Sequence, residues 1–372
     1  MKRLPQHIIE SLLDDEEDII QSTDMELVKQ FLEKTTSAYD RTFNKVNMEN
    51  VGGKIIVNFK GEQLIIYGNI AHDLFEWGHV EGDCFIKSNL LESLEGSPKT
   101  VNGSFYCSGR RLKTLKGAPE KVSGDFKCRE NFCLKDINGA PKEVGGNFDC
   151  SRCDSLKTLE GAPEKVGGDF KCNNCKLLNS LKGAPKEVGK GFDCSQCESL
   201  TSLEGAPQKV GGVFDCIGCG KIISLEGAPK EVGDHFECGS CQGLISLKGA
   251  PQKIGGSFNC CFCRNLEIID CDTLYVKYNF FCNHCSKLKS LKRSPRKVDG
   301  SFSLFNCESL TFLGGSPRQV GGDFNCSFCK SLRTLTGAPK EVGGMFDCSH
   351  TGRKFEPWMV RKESNVKKRI IV

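Results

Sequence analysis

Eight cysteine pairs in the spacing C-x-x-C are the residues of this chain best suited to chemistry: Cys150/Cys153, Cys172/Cys175, Cys194/Cys197, Cys216/Cys219, Cys238/Cys241, Cys260/Cys263, Cys282/Cys285 and Cys326/Cys329. Two such pairs some 15–20 residues apart can place four thiolates around zinc, and 18 residues separate Cys153 from Cys172. Thiol–disulfide exchange would need a βαβ setting, which the flanking sequence does not offer. The third option is a column of small apolar groups in a core. Incomplete pairs decide among these. Cys107 is followed by Arg110 at the partner position, Leu304 stands before Cys307, and Cys348 precedes Thr351. A four-thiolate site does not survive the loss of one ligand, whereas a packing column does. Structural thiols are therefore expected and no cofactor is required. Zinc held by Cys150, Cys153, Cys172, Cys175, Cys194, Cys197, Cys216 and Cys219 is the alternative.

The pairs recur because the chain recurs. Pro119, Pro141, Pro163, Pro185, Pro207, Pro229 and Pro251 are 22 residues apart, one beat is skipped, and Pro295, Pro317 and Pro339 resume the count. Each unit reads like Leu156 to Leu177, L-x-x-L-x-G-A-P-x-x-V-G-G-x-F-x-C-x-x-C-x-x. Self-similarity at this period implies a solenoid in which each coil buries its apolar edge against its neighbours. Phe170-Lys171-Cys172 alternates as a strand with one buried face. Gly167-Gly168 and Gly161-Ala162-Pro163 supply the turns on either side. At a strand spacing of about 4.8 Å, some twelve coils give a body on the order of 60 Å long. In residues 264–285 Thr273 replaces the proline and Lys277-Tyr278 the glycine pair, but Leu266, Ile269, Val276, Phe280 and Cys282 keep their places. That coil should persist with an altered surface.

Four parts follow: an N-terminal helical segment over 1–45, a β cap over 46–90, the repeat solenoid over 91–350, and a C-terminal cap over 351–372. Ile8, Ile9, Leu12 and Leu13 suggest one helix; Met25, Val28, Phe31 and Leu32 suggest a second, opened by a Thr23/Glu26 capping box. The acidic run 14–18 between them reads as a solvated hinge. Ile370-Ile371-Val372 suits a last strand.

Composition narrows the function classes. A net charge of +4 is too close to balance to argue for nucleic acid or an anionic membrane. No apolar run approaches the roughly 20 residues of a membrane span, and the N-terminus does not read as a signal peptide. The expectation is a soluble cytoplasmic chain with reduced thiols. No catalytic constellation stands out: His235, His284 and His350 fall in different coils, and the Gly-Gly pairs are turns rather than phosphate-binding loops.

A partner surface is the remaining candidate. The residue after each repeat phenylalanine faces outward, and the middle of this column is acidic at Asp193, Asp215 and Glu237. Farther along, Phe262, Phe281, Phe305 and Phe328, with Tyr278 nearby, stand where the repeat expects polar groups. Exposed aromatics in consecutive coils mark interaction sites, unless the irregular coil repacks around them. Lys142-Glu143, Glu164-Lys165 and Lys186-Glu187 form a mixed-charge surface suited to solubility.

The pattern V-x-x-x-F-x-C-x-x-C-x-x-L-x-x-L-x-G-A-P resembles a short leucine-rich repeat, with cysteine where that family commonly has asparagine after the strand. The wording S-L-E-G-A-P-x-K-V-G-G-x-F-x-C more narrowly resembles repeat proteins of large tailed bacteriophages and some bacteria, over about residues 46 to 372. The resemblance implies a β-rich solenoid of leucine-rich-repeat-like coils, one short strand per coil. It also implies a non-enzymatic scaffold acting on a host or virion protein in a host cytoplasm.

Overall fold

The computed structural model describes residues 25–30, 32, 36–38, 46–51, 54–67, 75–271, 273 and 275–372. Identical residues 22 positions apart lie side by side. Phe170 pairs with Phe148 on one side and Phe192 on the other, parallel and in register, and Val166 pairs likewise with Val144 and Val188. The strand expected at Phe-x-Cys is thus joined by a second two-residue strand at Lys-Val, and the coils build two 16-stranded ladders. At the usual strand spacing each ladder is about 70 Å long.

Between the ladders lies a dry interior of stacked columns. Twelve phenylalanines from Phe105 to Phe346 are fully buried, with successive ring centroids 4.8 to 5.9 Å apart. Most neighbouring rings are nearly parallel, as at Phe170 and Phe192, 5.3 Å apart and tilted by 5°. The spacing follows the ladder: strands about 4.8 Å apart bring identical rings into offset contact. Each ring removed from water contributes about 2–3 kcal/mol. Val166, Cys172, Cys175, Leu178 and Leu181 complete the interior of one coil and are all buried.

The glycines are packing requirements. In the Gly-Ala-Pro turn Gly161 has φ +89°, and a Cβ there would stand 2.6 Å from the Cα of Asn138 in the coil before. At Gly167 a Cβ would run into the carbonyl oxygen of Gly145. Coils can therefore stack at strand spacing only where these side chains are missing.

Each end is sealed differently. Val46–Val51 pairs antiparallel with Lys54–Phe59 and closes the Lys-Val ladder. Thr36–Ala38 pairs antiparallel with Gln63–Tyr67 and closes the Phe ladder. An antiparallel first strand stops coil-on-coil addition, which is what a cap must do. The strand Thr36–Ala38 precedes residue 46 and carries no trace of the repeat. Residues 25–30 and 32 are helical, with Val28 and Leu32 buried, which fits the second expected helix. The helix expected near residues 5–13 and the acidic run 14–18 lie outside the described residues. At the far end the helix Pro357–Glu363 buries Val360 and gives way to Asn365–Val366 and Ile370–Ile371, the last strands of the two ladders. The irregular coil keeps both strands, Tyr275–Val276 and Phe280–Phe281. Thr273 replaces the proline, its hydroxyl donating to the Pro251 carbonyl at 2.6 Å. Among the described residues no helix is long and apolar enough to cross a membrane.

Candidate functional site

The cysteine ladder comes first because zinc was the alternative use for it. The second cysteine of each pair points back one coil and donates its S–H to the carbonyl of the residue 25 positions earlier: Cys175 to Cys150 at 3.3 Å, Cys197 to Cys172 at 3.3 Å, Cys219 to Cys194 at 3.2 Å and Cys241 to Cys216 at 3.2 Å. Cys153 does the same to Cys128 at 3.4 Å. These carbonyls lie where the chain leaves the strand and bends, so they need a donor from outside it. One coil earlier Asn131 holds the same place, completely buried, its amide donating to Cys107 at 3.2 Å and Cys128 at 2.7 Å. Thr351, one coil beyond Cys329, bonds instead within its own coil, donating to Cys348 at 3.0 Å. Cysteine and asparagine thus share one task between coils, which explains why the column tolerates incomplete pairs. Asn131 was legible by arithmetic, standing 22 residues before Cys153.

These thiols do not fit a metal site. Burial pushes Cys150, Cys172, Cys175 and Cys197 well above the ordinary thiol range, and Cys153 up to about 12. Cys194 and Cys216 are raised by contact with the neighbouring thiols of Cys219 and Cys241, and then by burial. A zinc ligand must be a thiolate; burial disfavours that form at these positions, and the second cysteine of each of these pairs is turned to a carbonyl of the coil before. Among the described residues no group of three or more His, Cys, Asp and Glu could hold a metal ion. All 24 cysteines are free thiols, exposed only at Cys133 and half-buried at Cys261.

The acidic column has an intramolecular task. Asp193, Asp215 and Glu237 lie in register on successive strands. The Asp193 carboxylate accepts from the Ser195 amide at 2.9 Å and hydroxyl at 2.6 Å, and Asp215 accepts from the Ile217 amide at 2.8 Å. Asp347 with Ser349 and Asn325 with Ser327 repeat the arrangement. These side chains brace the turn that ends the strand. Glu237 accepts from the Asn259 amide at 2.8 Å. Burial pushes Asp215 up to about 6; the Ile217 amide opposes this, and the carboxylates of Asp193 and Glu237 add to it.

The aromatic residues fall into two groups. Phe262, Phe305 and Phe328 come together on one edge, and His284 and His350 join them. Phe262 stacks on His284 at 4.7 Å, His284 meets Phe305 edge-on at 5.2 Å, Phe305 reaches Phe328 at 5.2 Å, and Phe328 stacks on His350 at 4.5 Å. Four of the five occupy one 22-residue column at the turn after the Phe strand. Phe305 comes from the position before and fills the gap left by Asn306, whose amide lies 3.2 Å from His284 Nδ1. Phe262 is 47% exposed and Phe328 37%. Phe281 is half-buried on the strand column, and Tyr278 replaces the second turn glycine, where Lys277 lies over its ring at 5.5 Å. Neither belongs to the edge ladder.

The backbone under this ladder is informative. Its column is left-handed throughout: Phe262 has φ 63°, His284 58°, Phe328 61° and His350 54°. Elsewhere the column holds Glu130, Arg152, Asn174, Gln196, Gly218, Ser240 and Asn306, polar or small side chains, of which asparagine and glycine adopt this backbone most readily. Side chains without such tolerance cost roughly 1–2 kcal/mol there. Ring stacking contributes about 0.5–1.5 kcal/mol per contact, enough to offset much of that cost.

Parallel coils, in-register side-chain columns and the donor ladder define a parallel β-solenoid of leucine-rich-repeat-like coils. No family model matches the chain, and no curated protein matches it. A crystal structure of a leucine-rich repeat protein from Bacteroides ovatus is similar over 90% of this chain and 100% of its own, at 12% identity and a TM-score of 0.33.

Proposed function

We propose that the protein is a non-enzymatic scaffold that captures a protein partner on the edge formed by Phe262, His284, Phe305, Phe328 and His350. One observation carries the reading: contiguous stacked rings occupy a water-facing edge where the other coils present polar or small side chains such as Glu130, Arg152, Gln196 and Ser240. Exposed apolar clusters mark interaction sites, and aromatic groups dominate interface energetics. The matching partner surface is apolar, with aliphatic or aromatic side chains able to lie across stacked rings. The resemblance to repeats of tailed bacteriophages favours a viral chain acting on a host or virion protein in the host cytoplasm.

The test is affinity capture from an extract of the native host, using the full chain, Phe305→Ser with Phe328→Ser, and Phe281→Ser. The reading requires that the first variant lose the captured protein while Phe281→Ser, off the ladder, retains it, with unchanged far-ultraviolet circular dichroism for both. Capture unaffected by Phe305→Ser with Phe328→Ser would remove the proposal.

A further inference from the structure

The outward residues of the Lys-Val ladder alternate in sign along the first part of the solenoid. Lys121, Glu143, Lys165, Glu187, Lys209, Glu231 and Lys253 follow one another across consecutive parallel strands. The residues just before them alternate in the opposite phase at Glu120, Lys142, Glu164 and Lys186. Each cation thus has a carboxylate on the next strand, an arrangement that neutralises itself. Lys253 and Glu231 show it directly, 2.7 Å apart.

This checkerboard stops at the irregular coil, where Tyr275 interrupts it. Beyond come Arg296-Lys297, Arg318-Gln319 and Lys340-Glu341, four cations against one carboxylate. The neighbouring turn adds two more, because Lys292-Arg293-Ser294-Pro295 stands where other coils have Lys-Gly-Ala-Pro. Arg293 replaces the turn glycine and belongs to a short strand, Ser290–Arg293, paired with Ile268–Asp270. The tight left-handed turn of other coils is missing here, and a cleft of about 670 Å³ opens.

Lys292, Arg293, Arg296, Lys297 and Arg318 line the cleft, and among the described residues no carboxylate does. Lys297 holds Asp299 at 2.9 Å and lies over the Tyr275 ring at 5.6 Å. Lys292, Arg296 and Arg318 have no carboxylate partner among the described residues. Arg296 and Arg318 sit on adjacent coils, joined by the bond from the Arg318 amide to the Arg296 carbonyl at 2.9 Å. Two guanidinium forks carried on adjacent coils, whose backbones are about 4.8 Å apart, suit oxygens on neighbouring phosphates.

We propose that this cleft binds a small polyanion carrying two or more linked phosphate groups. Its volume lies within the range of small-molecule sites, roughly 300–1,000 Å³. Among the described residues no aromatic side chain lines it, so recognition falls on the phosphates rather than on an attached base. The site is separate from the aromatic edge, which follows the other ladder, and does not depend on it.

The experiment is a calorimetric titration of the full chain with sodium tripolyphosphate at low and high salt. Saturable binding at low salt that weakens at high salt is expected, since the charges are exposed. Arg296→Ala with Arg318→Ala should weaken binding by about tenfold or more. Lys142→Ala with Lys186→Ala, which removes the same charge from the balanced region, should leave it unchanged. Should the double arginine variant unfold, Arg318→Glu alone gives the same reading. Absence of binding at low salt, or equal loss in the lysine control, would overturn the proposal. So would arginine-dependent binding of a single-stranded oligonucleotide without binding of tripolyphosphate, which would make the cleft part of a nucleic-acid surface.

Discussion

Replacing Cys197 separates hydrogen bonding from packing in the cysteine ladder. The side chain is completely buried and donates to the Cys172 carbonyl at 3.3 Å. Cys197→Val keeps an apolar group of similar size but leaves that carbonyl without its donor, at a cost of about 1–3 kcal/mol. Cys197→Asn restores a donor in a column where Asn131 already makes two such bonds, at 3.2 and 2.7 Å. It should therefore lie within about 1 kcal/mol of the parent, because a satisfied buried amide costs little. Long repeat arrays need not unfold in one step. Native-state hydrogen exchange at the amides of Cys172, Cys194 and Cys216 is accordingly the assay, with urea unfolding as a check. The expected order of protection is parent, then Asn, then Val. Asparagine faring worse than valine would refute the reasoning and leave the column as apolar packing alone.

Asp215→Asn tests the carboxylate that burial pushes up to about 6 from an ordinary 3.8. A folded-state value raised in this way gives stability that is present below about pH 4 and lost as pH rises through 6. Asparagine, which braces the same turn at Asn259 and Asn325, should therefore match the parent at pH 4 and exceed it at pH 7. The full shift corresponds to about 3 kcal/mol; residual water contact reduces the expected gain to about 1–2 kcal/mol. Urea midpoints at both pH values check it, and a gain independent of pH would refute the cause given. Phe214→Ala removes one ring from the middle of the buried stack, 5.5 and 5.4 Å from its neighbours. It should cost about 3–5 kcal/mol, read as lost exchange protection centred on Phe192 and Phe236; a loss confined to its own coil would argue against continuous stacking.

The interior was legible in the sequence because its columns are periodic. Phe170, Val166, Cys172 and Leu178 each return at 22 residues, and in-register parallel pairing turns that period into contact. The same arithmetic kept the irregular coil in place despite the loss of its proline. It could not find Thr36–Ala38, which caps the Phe ladder by antiparallel pairing and shares nothing with the repeat. The aromatic edge was half visible. Phe262 and Phe328 stood out as apolar groups at polar positions, but His284 and His350, exactly one period beyond each, read only as scattered surface histidines. Phe305 enters the stack from a different column because its side chain leans into the space beside Asn306, a direction that spacing does not encode. Phe281 looked equivalent in sequence and faces elsewhere. Asp193 and Asp215 read as a charged face, whereas the serine two residues after Asp193, repeated after Asp149 and Asp347, marked these side chains as turn braces. The basic cleft went unseen because its cations come from two sequence segments that only the opened turn brings together.

The interior role of the sulfurs is tested most directly by counting reactive thiols with an aromatic disulfide reagent, without reductant, before and after denaturation. The native protein should show one promptly reactive thiol, Cys133, and a slower one, Cys261, while the remaining 22 (24 less these two) stay silent. Denaturation should then release all 24. Prompt reaction of several ladder cysteines in the native state, or a denatured total short of 24, would contradict an interior of buried, protonated thiols.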